Sequence, residues 1–194
     1  MGRMNLAVAA AVALVLAGAP LLAQGYSDAY TFLKGVRERD AQAVENMVAM
    51  PNPAVVNARD QSSGEGALHI LIRGRDHTWL SFILGRGARV DLQSNDGTAP
   101  LHLAAQLGWR EGAELLLSQR ANPNIANSRG ETPLILAVQR RDLVMVRLLL
   151  SQGADPNQTD SVAGYSALDY ARQDRRSAAI LRELETARPA RAAR

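Results

Sequence analysis

The chain has 194 residues, 47% of them apolar and 4% aromatic, and no cysteine, which excludes disulfides, thiolate metal sites and cysteine nucleophiles. Its formal net charge of +3 divides into −2 over residues 24–171, +4 over residues 172–194 and +1 from Arg3. The body is therefore close to neutral and offers no basic stripe to a phosphate backbone, so nucleic acid is not the expected partner.

Residues 1–25 read as an export signal. Arg3 supplies a basic start, Leu6 to Leu16 is an unbroken run of Ala, Val and Leu, and Gly18, Pro20 and small residues follow. Cleavage after Ala23 fits, as does cleavage after Gly25. An uncleaved anchor over Leu6 to Ala23 is the rival reading, opposed by the interruptions at Gly18 and Pro20. The expected location is the periplasm.

Ser27 to Met50 has the spacing of two helices, with Tyr30, Phe32, Leu33 and Val36 expected on one face of the first, and Ala43, Val44, Met47 and Val48 on the second. Pro51-Asn52-Pro53 ends that second helix. A pattern then recurs with a fixed step. Gly97 and Gly130, Pro100 and Pro133, Leu101 and Leu134, and Ala104 and Ala137 all stand 33 residues apart, as do Leu115–Leu117 and Leu148–Leu150. Gly64 to Leu71 is an earlier and weaker copy, with Gly66 and Ala67 at its helix start. Gly164 to Ala171 is a later copy displaced by 34 residues. A period of this size marks a stacked repeat array. Five units start near residues 28, 60, 94, 127 and 161, the first and last acting as caps, within a domain over residues 26–185. Residues 186–194 form a basic tail expected to be flexible.

Within each unit the residue chemistry agrees with a helix pair. Thr132 can accept from backbone N–H groups, and Pro133 suits a first helical turn. Gly108 stands where a left-handed residue links the two helices, a place taken by Arg75 and Arg141 elsewhere; Gly153 and Arg120 do the same after the second helix. Asp96-Gly97 signals a tight turn, so the connectors are expected to project as hairpin-like fingers.

The units resemble ankyrin repeats over about residues 28–185, most closely at Gly97–Ala105, Gly130–Val138 and Leu148–Asn157. The resemblance implies an all-α ankyrin-repeat solenoid of helix-turn-helix units. It also implies that His69 and His102, at one repeat position, tie adjacent loops together and are not catalytic or metal-binding. His77 is expected to be a solvated turn residue. Asp91, Asn124 and Asn157 also share one position and are explained by turn chemistry. No Ser-His-Asp set, phosphate loop or acidic metal cluster is evident, so neither enzyme activity nor a cofactor is expected.

By the same resemblance, another protein binds across the finger tips and first helices. The positions that match are Glu65 and Arg73 in the second unit and Asn95, Thr98, Gln106 and Leu107 in the third. Arg129, Glu131, Gln139 and Arg140 match in the fourth, and Tyr165 and Gln173 in the fifth. Trp109, where the chain turns between helices, either lies over the outer packing or anchors the interface. A monomer is expected. Similar small periplasmic ankyrin proteins support a catalase or serve as immunity or accessory proteins. The competing class is an enzyme or small-ligand protein using the concave face.

Overall fold

The computed structural model describes residues 28–49 and 53–187. The expected export signal and the tail beyond residue 187 lie outside the described residues, as does most of the proline segment after the second helix. Five helix pairs follow one another: α1 (28–38) with α2 (Ala41–Val48), α3 (Ala67–Arg73) with α4 (His77–Gly85), and α5 (Pro100–Leu107) with α6 (Arg110–Ser118). They continue as α7 (Pro133–Gln139) with α8 (Leu143–Ser151), and α9 (Ala167–Gln173) with α10 (Ala178–Thr186). Short 3₁₀ turns lie at Pro53–Asn57 and Arg175–Ser177. There is no strand among the described residues, only two isolated bridges, Arg59 with Gly66 and Thr159 with Ser166. The all-α solenoid expected from the repeats is the observed architecture. No helix among the described residues is long and apolar enough to cross a membrane.

Several helices start where a side chain satisfies a free N–H group. Thr132 Oγ1 accepts from Ile135 N at 3.3 Å, and Pro133 occupies the first turn of α7. Aspartates open α2, α4 and α8: Asp40 accepts from Ala43 N, Asp76 from Trp79 N and Asp142 from Met145 N, all within 3.0 Å. The helix-to-helix links have the left-handed backbone expected of them, with φ of 58° at Arg39, 50° at Arg75, 63° at Gly108 and 60° at Arg141. Such φ values are unfavourable for arginine. Each of these arginines also reaches into the next repeat: Arg39 Nε donates to Asp76 at 2.9 Å, Arg75 Nη2 to the Leu107 carbonyl at 2.7 Å, and Arg141 Nε to Asp174. The Arg141 guanidinium holds the Asp174 carboxyl down at about 2.

First helices stack on first helices and second on second, and the first-helix row is in closer contact. Ala104, Ala105 and Ala137, all fully buried, let those helices approach. The unequal spacing curves the stack, with the first helices and fingers on the concave side. Leu101, Leu116, Leu134, Ile135, Met145 and Leu149 fill the space between repeats without exposure. At roughly 25 cal/mol per Å² of apolar surface buried, this continuous core is the main favourable term in the fold.

One expectation about the core needs correction, and one pair of alternatives is decided. Tyr30 is 66% exposed, because Phe32, Leu33 and Val36 complete the buried stripe of α1 and Tyr30 falls on its edge. Trp109 is only 6% exposed: its ring lies over Gly112, where an added Cβ would come within 2.2 Å of Trp109 Cε3. It is packing and cannot anchor a partner. His77 is exposed as expected, but it is the first residue of α4.

The Asp and Asn series does more than shape turns. Asn57 Oδ1 accepts from Arg89 N at 2.7 Å, Asp91 from Asn122 N at 3.1 Å and Asn124 Oδ1 from Asp155 N at 2.7 Å. Asn124 also donates to the Gly153 carbonyl at 3.0 Å. Asn57, Asp91 and Asn124 thus grip the backbone of the following repeat, whereas the Asn157 side chain makes no such bond among the described residues. At the closing end, Glu183 pairs with Arg147 at 2.7 Å, tying α10 to α8 rather than simply facing water.

Candidate protein-binding surface

Among the described residues a finger projects beside the first helix of each of the second to fifth repeats, and each finger takes its repeat's number. Each is closed by one backbone bond: Asp60 N to Glu65 O, Ser94 N to Thr98 O, Asn127 N to Glu131 O and Asp160 N to Tyr165 O, at 2.8–3.0 Å. Adjacent fingers are joined tip to tip, since Asn95 N donates to Ser63 O (2.9 Å), Ser128 N to Asp96 O (3.0 Å) and Ser161 N to Arg129 O (2.8 Å). This close approach explains the tip glycines. A Cβ on Gly97 would stand 2.6 Å from Ser128 N, and one on Gly130 2.6 Å from Ser161 N, at φ values of 76° and 75°.

A second set of links runs from first helices to fingers. His69 Nδ1 accepts from Gly66 N at 3.2 Å and its Nε2 faces the Thr98 carbonyl at 2.8 Å. His102 repeats this with Ala99 N at 3.0 Å and the Glu131 carbonyl at 2.9 Å. The pattern assigns the neutral tautomer protonated on Nε2. Burial pushes both imidazoles below their ordinary value. These two histidines therefore fasten loops, as the ankyrin resemblance implied. Among the described residues no cluster of three or more His, Asp or Glu is arranged to hold a metal ion.

The structure divides the expected contact residues into two groups. One group is engaged within the chain. Glu65 pairs with Arg73, and Arg129 with Glu131 at 2.7 Å. Asn95 bridges Arg59 and the Ser62 carbonyl, and Thr98 donates to Asp96 at 3.0 Å. Leu107 is half-buried against the core. Gln139 hydrogen-bonds the Tyr170 hydroxyl, which donates to Asp160 at 2.6 Å; that bond raises the phenol to about 12. Tyr165 is 40% exposed and meets Tyr170 edge-on with ring centroids 5.6 Å apart.

The other group is uncommitted: Gln106, Arg140 and Gln173 are exposed, and their side chains make no hydrogen bond or ion pair with a described residue. Gln106 and Gln173 belong to a row. Arg73, Gln106, Gln139 and Gln173 occupy one position in α3, α5, α7 and α9, at the C-terminal end of each first helix. The row crosses the concave side beside the fingers. Sequence reasoning missed Val162, which is 74% exposed in the fifth finger. The available signal was an apolar Val-Ala pair in a turn whose counterparts are polar.

A family model described as ankyrin repeats matches three times, over residues 34–127, 68–160 and 113–185. An ankyrin repeat protein of fowlpox virus is 34% identical over 53 residues, 27% of this chain and 16% of the viral protein. The nuclear factor NF-kappa-B p105 subunit of Mus musculus is 42% identical over 64 residues, 32% of this chain and 7% of the mouse protein. The chain thus spans only a small part of the length of either relative. The three family matches together run from residue 34 to residue 185, through the same helix pairs and fingers, and on that ground the chain belongs to the ankyrin repeat family.

Proposed function

We propose that this protein is an exported, non-catalytic binding module that holds one partner protein along its concave side. Ankyrin repeats generally mediate binding to another protein. The observation that carries the reading here is the row Arg73, Gln106, Gln139, Gln173, whose Gln106 and Gln173, like neighbouring Arg140, have no side-chain partner among the described residues. Amide side chains both donate and accept, so such a row suits the backbone of an extended or loop segment laid across the repeats. The rigid stack presents them without much ordering cost. Tyr165 and Val162 extend the surface with apolar area at the fifth finger.

Export to the periplasm rests on the pattern of residues 1–25 alone. A narrower form of the reading, support of a stress-protection enzyme such as a catalase, rests on the family resemblance alone. The module acts as a monomer in this reading.

The test is affinity capture from the periplasm with the intact protein and with a variant carrying Gln106→Glu, Arg140→Glu and Gln173→Glu. Leu107 is left unchanged because it is half-buried. A stoichiometric partner that is lost with the triple variant supports the surface. Equal capture by a folded triple variant rejects it, and the partner's identity decides the catalase reading.

A further inference from the structure

The trailing edge of the fifth finger is open. In the second, third and fourth fingers the residue before the tip glycine offers a carbonyl that the next finger takes: Ser63 O accepts from Asn95 N, Asp96 O from Ser128 N and Arg129 O from Ser161 N. The tip glycines are covered accordingly, Gly64 being buried and Gly97 and Gly130 half-buried. In the fifth finger the matching carbonyl belongs to Ala163, which accepts no bond among the described residues. Gly164 is exposed, and no described atom beyond its chain neighbours lies within 4 Å of where a Cβ would stand.

The molecule contains a filled copy of this seat. The second and fifth fingers share one turn, residues 60–66 matching residues 160–166, and each is flanked by an isolated bridge, Arg59 with Gly66 and Thr159 with Ser166. Asp60 Oδ1 accepts from the N–H groups of Ser62 and Ser63, Asp160 Oδ1 from those of Val162 and Ala163, and Gly64 and Gly164 adopt φ of 71° and 69°. In the second finger the occupant is Asn95. Its backbone N–H donates to Ser63 O at 2.9 Å and its side-chain amide to Ser62 O at 3.0 Å. Through the shared turn those two acceptors correspond to Ala163 O and Val162 O. We infer that the trailing edge of the fifth finger binds a turn of the partner protein that presents an asparagine, whose backbone N–H and side-chain amide take the Ala163 and Val162 carbonyls. The inference rests on the reading of the chain as a protein-binding module and adds a second place of contact to it.

Two differences between the fingers define the occupant further. Arg59, whose Nη2 donates to Asn95 Oδ1 at 3.2 Å and whose Nε donates to Gly64 O at 3.0 Å, is replaced by the exposed Thr159. The fifth finger therefore lacks the cation that clamps Asn95, and its occupant comes and goes. Ser62 and Ser63 are replaced by Val162, 74% exposed, and Ala163, with Tyr165 close by at 40%. This apolar rim favours an occupant with an apolar residue beside its asparagine, because water leaves both on contact. An aspartate in place of the asparagine is disfavoured, since an ionised carboxylate has no proton to give Val162 O. The tips of the second to fourth fingers are polar and already joined in series, so the occupant is a different protein and not another finger of this chain. Gln173, the uncommitted end of the concave row, belongs to the same repeat as the seat.

The probe is a cyclic peptide of residues 93–99, the segment that fills the equivalent seat, titrated into the full isotope-labelled chain and followed by amide chemical shifts. Shifts at residues 162–165 are expected, with a Kd on the order of millimolar, because two hydrogen bonds leave little beyond the cost of association. The peptide carrying Asn95→Ala is expected to bind about tenfold more weakly or not at all. Gly164→Ala in the chain is expected to give the same loss. A Cβ on Gly64 would stand 2.3 Å from Asn95 Oδ1, so a methyl at the matching place closes the seat, while the free chain has room for it. A thermal melt checks that this variant folds; the comparison of the two peptides decides the question without it. Absence of shifts at residues 162–165 up to roughly ten millimolar peptide, or equal binding of both peptides, overturns the assignment. Concentration-dependent shifts at those residues without peptide give the seat to a second copy and overturn it as well. In the periplasmic capture, a partner lost with the concave triple variant but kept by Gly164→Ala rejects the seat alone. A partner lost with folded Gly164→Ala but kept by the triple variant supports the seat and rejects the concave row.

Discussion

Replacing His102 with isoleucine puts the loop-fastening role to a test for which the molecule supplies its own control. Ile135 occupies the same position one repeat later, fully buried, so isoleucine fits the space. In the third repeat it would remove two bonds, from Ala99 N (3.0 Å) and to the Glu131 carbonyl (2.9 Å). Glu131 O still accepts from Asn127 N, so its loss is that of an ordinary hydrogen bond, about 1 kcal/mol. Ala99 is fully buried and its N–H loses its partner, which costs about 1–3 kcal/mol. His102→Ile is thus expected to cost about 2–4 kcal/mol, measured by urea unfolding followed by circular dichroism. In the fourth repeat Thr132 Oγ1 accepts from Ile135 N, a side-chain cap that the third repeat, with Ala99, lacks. Adding Ala99→Thr to the variant is therefore expected to recover about 1 kcal/mol. Acid adds a second readout. Burial pushes both imidazoles below their ordinary value, so as pH falls below about 6.5 the unfolded chain takes up protons more readily than the folded chain. Stability is then lost as pH falls from 6.5, by up to about 1.4 kcal/mol per pH unit for each histidine. His102→Ile is expected to halve that slope. A cost below about 0.5 kcal/mol, with an unchanged slope, would refute the role assigned to His102.

Three further outcomes follow from the packing and backbone. Gly112→Ala pushes a methyl into the Trp109 ring and is expected to destabilise by about 1–3 kcal/mol, with a shift in tryptophan emission as the check. Leu149→Ala removes a fully buried side chain between repeats and is expected to cost about 2–5 kcal/mol; an unchanged thermal melt would contradict the stacking register. Arg120 adopts φ 64° with its side chain exposed and without a partner among the described residues, where Gly87 and Gly153 serve in neighbouring repeats. Arg120→Gly is expected to raise stability by about 1 kcal/mol, seen as a Tm increase of a few degrees.

The scaffold was legible because repetition multiplies weak signals. One Gly-x-Thr-Pro-Leu pattern is suggestive, but copies at a constant step require the same local structure to recur and stack. The left-handed links at Arg75 and Arg141 were readable for the same reason, from alignment with Gly108 rather than from arginine's own preferences. Tyr30 was misplaced and Trp109 left between two readings where repetition offered no help. Tyr30 lies in a terminal unit whose pattern is degenerate, and Trp109 replaces the aspartate found at Asp76 and Asp142, so no sister repeat showed how it packs.

The sequence by itself determined the repeat, its register and the positions of the caps and turns, because these depend on contacts that recur at fixed separation; the loop-fastening role of His69 and His102 came from the family resemblance. Only the tertiary structure decided which exposed side chains are already engaged. Glu65, Arg73, Asn95, Thr98, Arg129, Glu131 and Gln139 look as available in the sequence as Gln106, Arg140 and Gln173, yet each of the first set is held by a neighbour in its own finger, its own repeat or an adjoining one. Whether a polar group is free depends on distances between repeats, set by how closely the buried alanines let the first helices pack.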